Sequence, residues 1–227
     1  ILAILADDTL AHPPIEAVFT VDEEVGMDGA FALDCSDLKG RKLLNLDSEL
    51  EGVFTVSCAG GMRADCHLPG AMEPVSGMSG YAVTLSGLQG GHSGADIHLG
   101  RASANQQMGR VLYSAMERFP GLRLAAVSGG QFDNVICSRC DAVVAIPAGK
   151  EAAFEAFIAE FDAVLKNEYT GCDDGITLAC ARTDVTAAIS EVTTNIMLHT
   201  LLALPQGVQA MSVDFPGLTQ TSLNMGV

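Results

Sequence analysis

An α/β segment followed by an α+β segment is the fold class this sequence predicts. Three observations carry it. Two apolar runs near the start break off into acids, the pattern changes near Gly60-Gly61, and two long amphipathic patterns then alternate with period-2 runs. In order, Ile1–Leu10 reads as the end of a helix and Ile15–Val21 as a buried strand. Met27–Leu33 reads as a short helix and Lys42–Leu46 as a second strand. Val53–Cys58 and Tyr81–Leu85 alternate like half-exposed strands. Ala102–Phe119 has helical spacing through Ala104, Met108, Val111, Leu112, Ala115, Met116 and Phe119. Strands at Leu122–Val127 and Val135–Ile146 precede a helix at Glu151–Asn167, whose apolar face holds Phe154, Phe157, Ile158, Phe161, Val164 and Leu165. Gly175–Ala181 is a further strand and Ala187–Leu204 a third helix. Strand-helix-strand-strand-helix-strand is a split βαβ, ferredoxin-like order. The expected domains are 1–60 and 61–227.

The chemistry concentrates in Thr20-Val21-Asp22-Glu23-Glu24-Val25-Gly26. A strand ending here would deliver its acids at the carboxyl edge of the sheet, where open α/β folds place ligands. Leu43-Leu44-Asn45-Leu46-Asp47-Ser48-Glu49 repeats the design. Two such strands side by side would converge carboxylates, which a divalent cation neutralises. In an extended strand Glu23 and Glu24 would point apart, one to a metal and one to a water. Asp22, on the face of Glu24, is the rival for either role. The competing reading is that these acids sit after strands because loops are solvated, or that they cap a helix.

Composition narrows the function classes. The 227 residues suffice for one large domain or two small ones, and 48% hydrophobic content is ample for a core. A formal net charge of −16 argues against nucleic acid as a partner, since phosphate contacts need Lys and Arg. The absence of an apolar run of about 18 residues argues against a membrane partner. Seven cysteines, odd in number and irregular in spacing, fit a reducing cytoplasm. Cys137-Ser138-Arg139-Cys140 has CxxC spacing, but within a strand its thiols would face opposite sides. Met108 and Met116 read as helix core, and the Gly90-Gly91 and Ser128-Gly129-Gly130 glycines lack the context of a phosphate cradle.

The runs TVDEEVGMDGA at Thr20–Ala30, LNLDSELEG at Leu44–Gly52 and GGHSGADIHLGRASAN at Gly90–Asn105 occur in that order. Together they resemble the di-zinc metallopeptidase family that includes aminoacylases and succinyl-diaminopimelate desuccinylase. The nearest resemblance is to its aminoacyl-histidine (Xaa-His) dipeptidase branch, with CAGGMR at Cys58–Arg63 and TSLNMGV at Thr221–Val227 in support. The resemblance implies a partial zinc-peptidase-type α/β catalytic domain over 1–60. Over 61–227 it implies an α+β ferredoxin-like lid and dimerisation domain, incomplete at its C-terminus. It further implies that Glu23 is the general base toward a metal-bridging water, and that Glu24 and Asp47 each bind one of two zinc ions, with cobalt or manganese as substitutes. His92 would be the lid histidine that polarises the scissile carbonyl, and Asn134 a lid asparagine near the substrate. The surroundings of Asn134, Phe132-Asp133-Asn134-Val135-Ile136-Cys137, depart from the family's Pro-containing pattern. His98 is the alternative second lid histidine, with a structural hydrogen-bonding role preferred.

The family's metal centre also uses a His-X-Asp motif, a bridging Asp and a later His. None of the five histidines here has the His-X-Asp setting. The expectation is therefore an internal part of a longer enzyme, inactive alone. The longer enzyme would be a cytoplasmic metallopeptidase acting on dipeptides of the carnosine kind and forming a homodimer through the lid. Two alternatives stand beside it: an N-acyl-amino-acid deacylase or desuccinylase of the same family, and a non-catalytic lid or dimerisation module.

Overall fold

The structure, a computed structural model, describes residues 1–47 and 50–227; Ser48 and Glu49 of the second acidic run lie outside the described residues. Chain contacts separate two compact units, Ile1–Gly61 and Met62–Val227.

In Met62–Val227 the expected order of elements is present. The strands are β1 (Met72–Pro74), β2 (Met78–Ser86), β3 (Arg123–Gly129), β4 (Cys140–Pro147), β5 (Thr177–Thr183) and β6 (Ala187–Ile189). β2, β3, β4 and β5 form one antiparallel sheet in the order β3-β4-β2-β5. Helix α3 (Ala104–Arg118) links β2 to β3, and α4 (Glu151–Glu168) links β4 to β5. That is the split βαβ arrangement, with each helix crossing between non-adjacent strands. Period-2 alternation aims Tyr81, Val83 and Leu85 of β2, with Ala142 and Val144 of β4, into one core. Met108, Val111, Leu112 and Ala115 of α3 and Phe154, Ile158 and Leu165 of α4 close it. Phe154 meets Tyr81 and Phe119 at ring distances of 4.9 and 5.5 Å, inside the range where aromatic pairs attract beyond their buried area.

A second layer braces the edge strand β3. One residue bulges where the β3–β4 register shifts between Leu124 and Ala126, and the buried hydroxyl of Thr194 accepts from Leu124 N at 3.0 Å. Thr194 lies on α5 (Glu191–Ala203), which begins at Glu191 because the Ser190 hydroxyl accepts from Thr193 N. Part of the expected helix Ala187–Leu204 is thus strand: β6 pairs with β1, and Arg123 of β3 donates to Ile189 O and Ala188 O. A hairpin of β7 (Gly207–Met211) and β8 (Thr219–Leu223), absent from the sequence expectations, completes this unit. The expected strand Val135–Ile146 begins only at Cys140. Upstream, Ile136 N donates to Gly91 O and Cys137 O accepts from Ala104 N, so those backbone groups serve loops.

Ile1–Gly61 departs further from expectation. Among the described residues it holds two short helices, α1 (Leu2–Ala6) and α2 (Asp28–Phe31), with a 3-10 turn at Glu23–Val25 and no strand. Ile15–Val21 and Lys42–Leu46 are not strands, and neither is Val53–Cys58. A parallel strand needs ladder partners and apolar cover on both faces, and helices of four and five residues supply neither. Phe19 is 67% exposed, Leu43 88% and Phe54 91%. Local clasps hold this unit instead: the Glu16 carboxylate accepts from Lys39 N and Gly40 N, and Gly29 N donates to Val21 O.

One buried acid links the core to the loops above it. Asp173, fully buried after α4, accepts from Gln89 N through Oδ1 and from Ala102 N through Oδ2, both at 2.7 Å. The two ends of the Gln89–Ala102 loop are thereby tied to one side chain. Asp173→Ala would strand the buried Ala102 N–H and the half-buried Gln89 N–H and is expected to cost about 1–3 kcal/mol, read as a shifted urea midpoint with the slope unchanged.

A second acid makes stability depend on pH. Glu151 opens α4 and accepts from the Ser79 hydroxyl at 2.6 Å. That bond first, then backbone N–H groups of its own turn, lowers its pKa from 4.5 to about 2. A depressed carboxyl stabilises the fold above its unfolded pKa and loses that contribution as pH falls through the folded one. Thermal midpoints measured from pH 5 down to 2 should therefore fall more steeply in the wild type than in Glu151→Gln, the two converging at the acid end.

Candidate active site

In Ile1–Gly61 the acids gather on a turn. Among the described residues, Asp22 at φ 57° and Met27 at φ 64° are the non-glycine residues in the left-handed region, and they bracket Glu23–Gly26. Asp tolerates this conformation; Met does so only at a cost that the surrounding bonds must meet. Met27 N donates to Asp22 O at 2.7 Å, and Phe31 N back to Met27 O. Glu23 and Glu24 therefore leave a 3-10 turn, not an extended strand, and the expectation that they point apart is wrong. Their carboxyls lie close to each other, and Glu23 is pushed above the usual carboxylate range. The charge of Glu24 is the main cause, followed by desolvation and the charge of Asp47. The structure thus brings Glu23, Glu24 and Asp47 into one acidic neighbourhood. All three are exposed.

Such a neighbourhood suits a divalent cation in the hardness of its donors and in its unbalanced charge. It is no complete zinc site: among the described residues no group of three or more His, Cys, Asp or Glu side chains is arranged to hold a metal ion. The other histidines do not supply one. His12 Nδ1 lies 2.8 Å from Pro13 O, and His199 Nδ1 2.8 Å from Asn195 O with its ring edge-on to Tyr113. His67 is exposed.

In Met62–Val227, His92 and Asn134 come together through their backbones. The Gln89–Ala102 loop runs beside Phe132–Ile136, with Ser93 N donating to Asn134 O at 2.9 Å and Ile136 N to Gly91 O at 2.8 Å. His92 and Val135 form an isolated antiparallel bridge. Inside the loop, His92 N donates to Asp96 Oδ2, and Arg101 Nη1 donates to Gly90 O at 2.7 Å while pairing with Asp96 at 3.5 Å. Gly91, at φ 132°, holds a backbone conformation that residues with a Cβ rarely adopt, and a Cβ there would also press on the Arg101 guanidinium and the Asp96 carboxylate.

The imidazole of His92 is oriented by its own loop. Nδ1 accepts from Gly94 N at 3.0 Å and from Ala95 N at 3.1 Å. The neutral ring then carries its proton on Nε2. Among the described residues neither His92 Nε2 nor the Asn134 side-chain amide has a hydrogen-bond partner, and both residues are exposed. Two hydrogen-bonded loops thus offer one N–H donor and one amide to a ligand. His98 is exposed in the turn Ile97–Leu99, and its ring has no hydrogen bond among the described residues, against the structural role expected of it.

Two features escaped sequence reasoning. Cys137 and Cys140 do not face opposite sides; both are buried and free, because strand alternation starts only at Cys140. Burial raises the Cys140 thiol to about 12, which keeps it protonated. Asn224, just beyond β8, donates from Nδ2 to Asp133 O at 2.8 Å and to Val135 O at 2.9 Å. Its position inside Thr221–Val227 was noticeable in the sequence, but its contacts were not.

Known proteins share this architecture. The peptidase dimerisation domain matches residues 83–171. The chain is 36% identical over 229 residues to the cytosol non-specific dipeptidase of Escherichia coli (strain K12), covering 100% of the chain and 47% of that protein. The crystal structure of aminoacylhistidine dipeptidase from Vibrio alginolyticus aligns at TM-score 0.74 and 33% identity, over 99% of this chain and 46% of that one. The chain spans about half the length of these relatives. No described helix is long and apolar enough to cross a membrane. Along its whole length the chain is similar to a cytosol dipeptidase and to an aminoacylhistidine dipeptidase, and its residues 83–171 match the peptidase dimerisation domain.

Proposed function

We propose that these residues serve a metal-dependent dipeptidase that cleaves Xaa-His dipeptides of the carnosine kind in the cytoplasm, as a homodimer formed through Met62–Val227. The observation that carries this reading is the likeness, along the whole of this chain, to about half of a cytosol dipeptidase and of an aminoacylhistidine dipeptidase. Glu24 and Asp47 are the residues that would hold divalent cations, zinc first, with cobalt or manganese as substitutes. Bound cations of this kind lower the pKa of water toward neutrality. Glu23, its carboxyl raised by its acidic neighbours, takes the proton of the attacking water and returns it to the leaving amine. His92 donates its Nε2–H to the oxyanion that develops on the scissile carbonyl, without reorganising, because Gly94 N and Ala95 N already fix the ring. Asn134 binds the substrate from the neighbouring loop. The competing reading is a deacylase or desuccinylase of the same family.

The test is the full-length gene product with zinc, cobalt or manganese, offered carnosine and N-acetyl amino acids. Cleavage of carnosine is expected. Cleavage of the acylated amino acids alone would replace this reading with the deacylase one.

In the same protein Glu23→Gln should lower turnover by roughly 10²–10⁴-fold with metal content retained, because it removes the base and no ligand. Glu24→Ala or Asp47→Ala should lower metal content by elemental analysis. Metal lost in Glu23→Gln but kept in Glu24→Ala would exchange the two assignments.

His92→Ala should reduce kcat by about 10²–10³-fold with KM and metal content nearly constant, since the charge it meets arises only in the transition state. An unchanged kcat would make the Gly90–Gly94 loop purely structural.

A further inference from the structure

The loop bearing Asn134 is irregular, yet its carbonyls are unusually well engaged. Asp133 O and Val135 O, on either side of Asn134, both accept from Nδ2 of Asn224, and Asn134 O accepts from Ser93 N. Three consecutive carbonyls are thereby fixed, two of them by one side-chain amide.

The orientation of that amide is itself determined. Met225 N can only donate, so the side-chain atom of Gln206 that it meets at 2.6 Å is Oε1. Gln206 then presents Nε2 to Asn224 Oδ1 at 3.2 Å, which leaves Asn224 Nδ2 for the two carbonyls. Asn105 Nδ2 of α3 holds Met225 O at 3.1 Å. Gly226 closes the contact, because a Cβ there would fall 2.6 Å from Asp133 Cα. The chain of bonds runs from the core helix α3, through the tail after β8, to the peptides flanking Asn134.

We propose that Asn224 is a positioning residue for substrate binding: by bridging the carbonyls on both sides of Asn134, it sets the backbone from which Asn134 meets the dipeptide. This rests on the reading that Asn134 binds substrate. Asn224 touches no reacting atom. Its loss acts through Asn134, and therefore on KM rather than on kcat.

The experiment uses Asn224→Asp, which keeps the shape but turns a donor against two carbonyls into an acceptor. Loss of both hydrogen bonds should raise KM for carnosine roughly tenfold, equivalent to about 1.4 kcal/mol, with kcat within about twofold. Combined with Asn134→Ala, the Asp substitution should add nothing further, because the residue it positions is gone. Full additivity, or a change in kcat alone, would overturn the proposal. Gln206→Glu, which leaves Asn224 in place but removes the donor that orients it, should give the same split to a smaller degree, and serves if Asn224→Asp fails to fold. A wild-type gene product that cleaves no dipeptide would refute the proposed substrate class. Amide hydrogen exchange would then decide the positioning itself. Ser93 and Ile136 should exchange faster in Asn224→Asp while α3 and α4 stay protected, and unchanged exchange at Ser93 would overturn it.

Discussion

Burial of one face of a four-stranded sheet under two helices is the constraint on which the rest of Met62–Val227 depends. Tyr81, Val83 and Leu85 cannot leave water unless α3 and α4 lie across them, and α3 cannot lie there unless its first turn sits beside the start of β4. That seating brings Cys137 O against Ala104 N and fixes where the chain leaves the sheet on both sides. The loops of His92 and Asn134 then meet at one end of the sheet because their stems are already placed. Hydrophobic burial is non-directional. The directional information comes afterwards, from Asp173, Arg101 and Asn224, each bonding backbone groups that no strand or helix uses. Irregular chain can be as well defined as a helix when its polar groups are satisfied in this way.

Most of that sheet-and-helix layer was legible. β2, α3, α4 and β5 each carry enough residues for a period of 2 or 3.6 to show, and each buries one face only. The pairs β1–β6 and β7–β8 were not legible: they are short and mostly exposed, and their strand character comes from the partner and not from alternation. Ile15–Val21 shows the converse. Its composition suits a strand, but among the described residues of Ile1–Gly61 nothing pairs with it, so Phe19 remains in water. Apolar sequence states a capacity for burial, and the structure of this unit offers no surface to fulfil it.

The candidate site divides in the same manner. The GGHSG context singled out His92, and the strand-to-acid transition singled out Glu23, Glu24 and Asp47. What the sequence could not convey was orientation. The left-handed Asp22 and Met27 turn the two glutamates toward each other, and Gly94 N and Ala95 N select the tautomer of His92. Asp173 gave no signal and Asn224 only its place within Thr221–Val227, because an acid or an amide acquires its role from the peptides it meets, here 71 and 91 residues away in the chain.

The clasp at Asp173 has an evolutionary corollary. A loop whose two ends meet on one buried carboxylate is closed whatever lies between them. Lengthening such a segment adds only the slow logarithmic cost of chain entropy, about 0.6 kcal/mol for a doubling. Length can accordingly be added between Gln89 and Ala102 with little effect on the core beneath, provided that Gly91, Ile97 and Arg101 keep their contacts. The fold thereby separates the part of the molecule that must be kept from the part that can be rewritten for new chemistry, and the frontier between them is a single side chain.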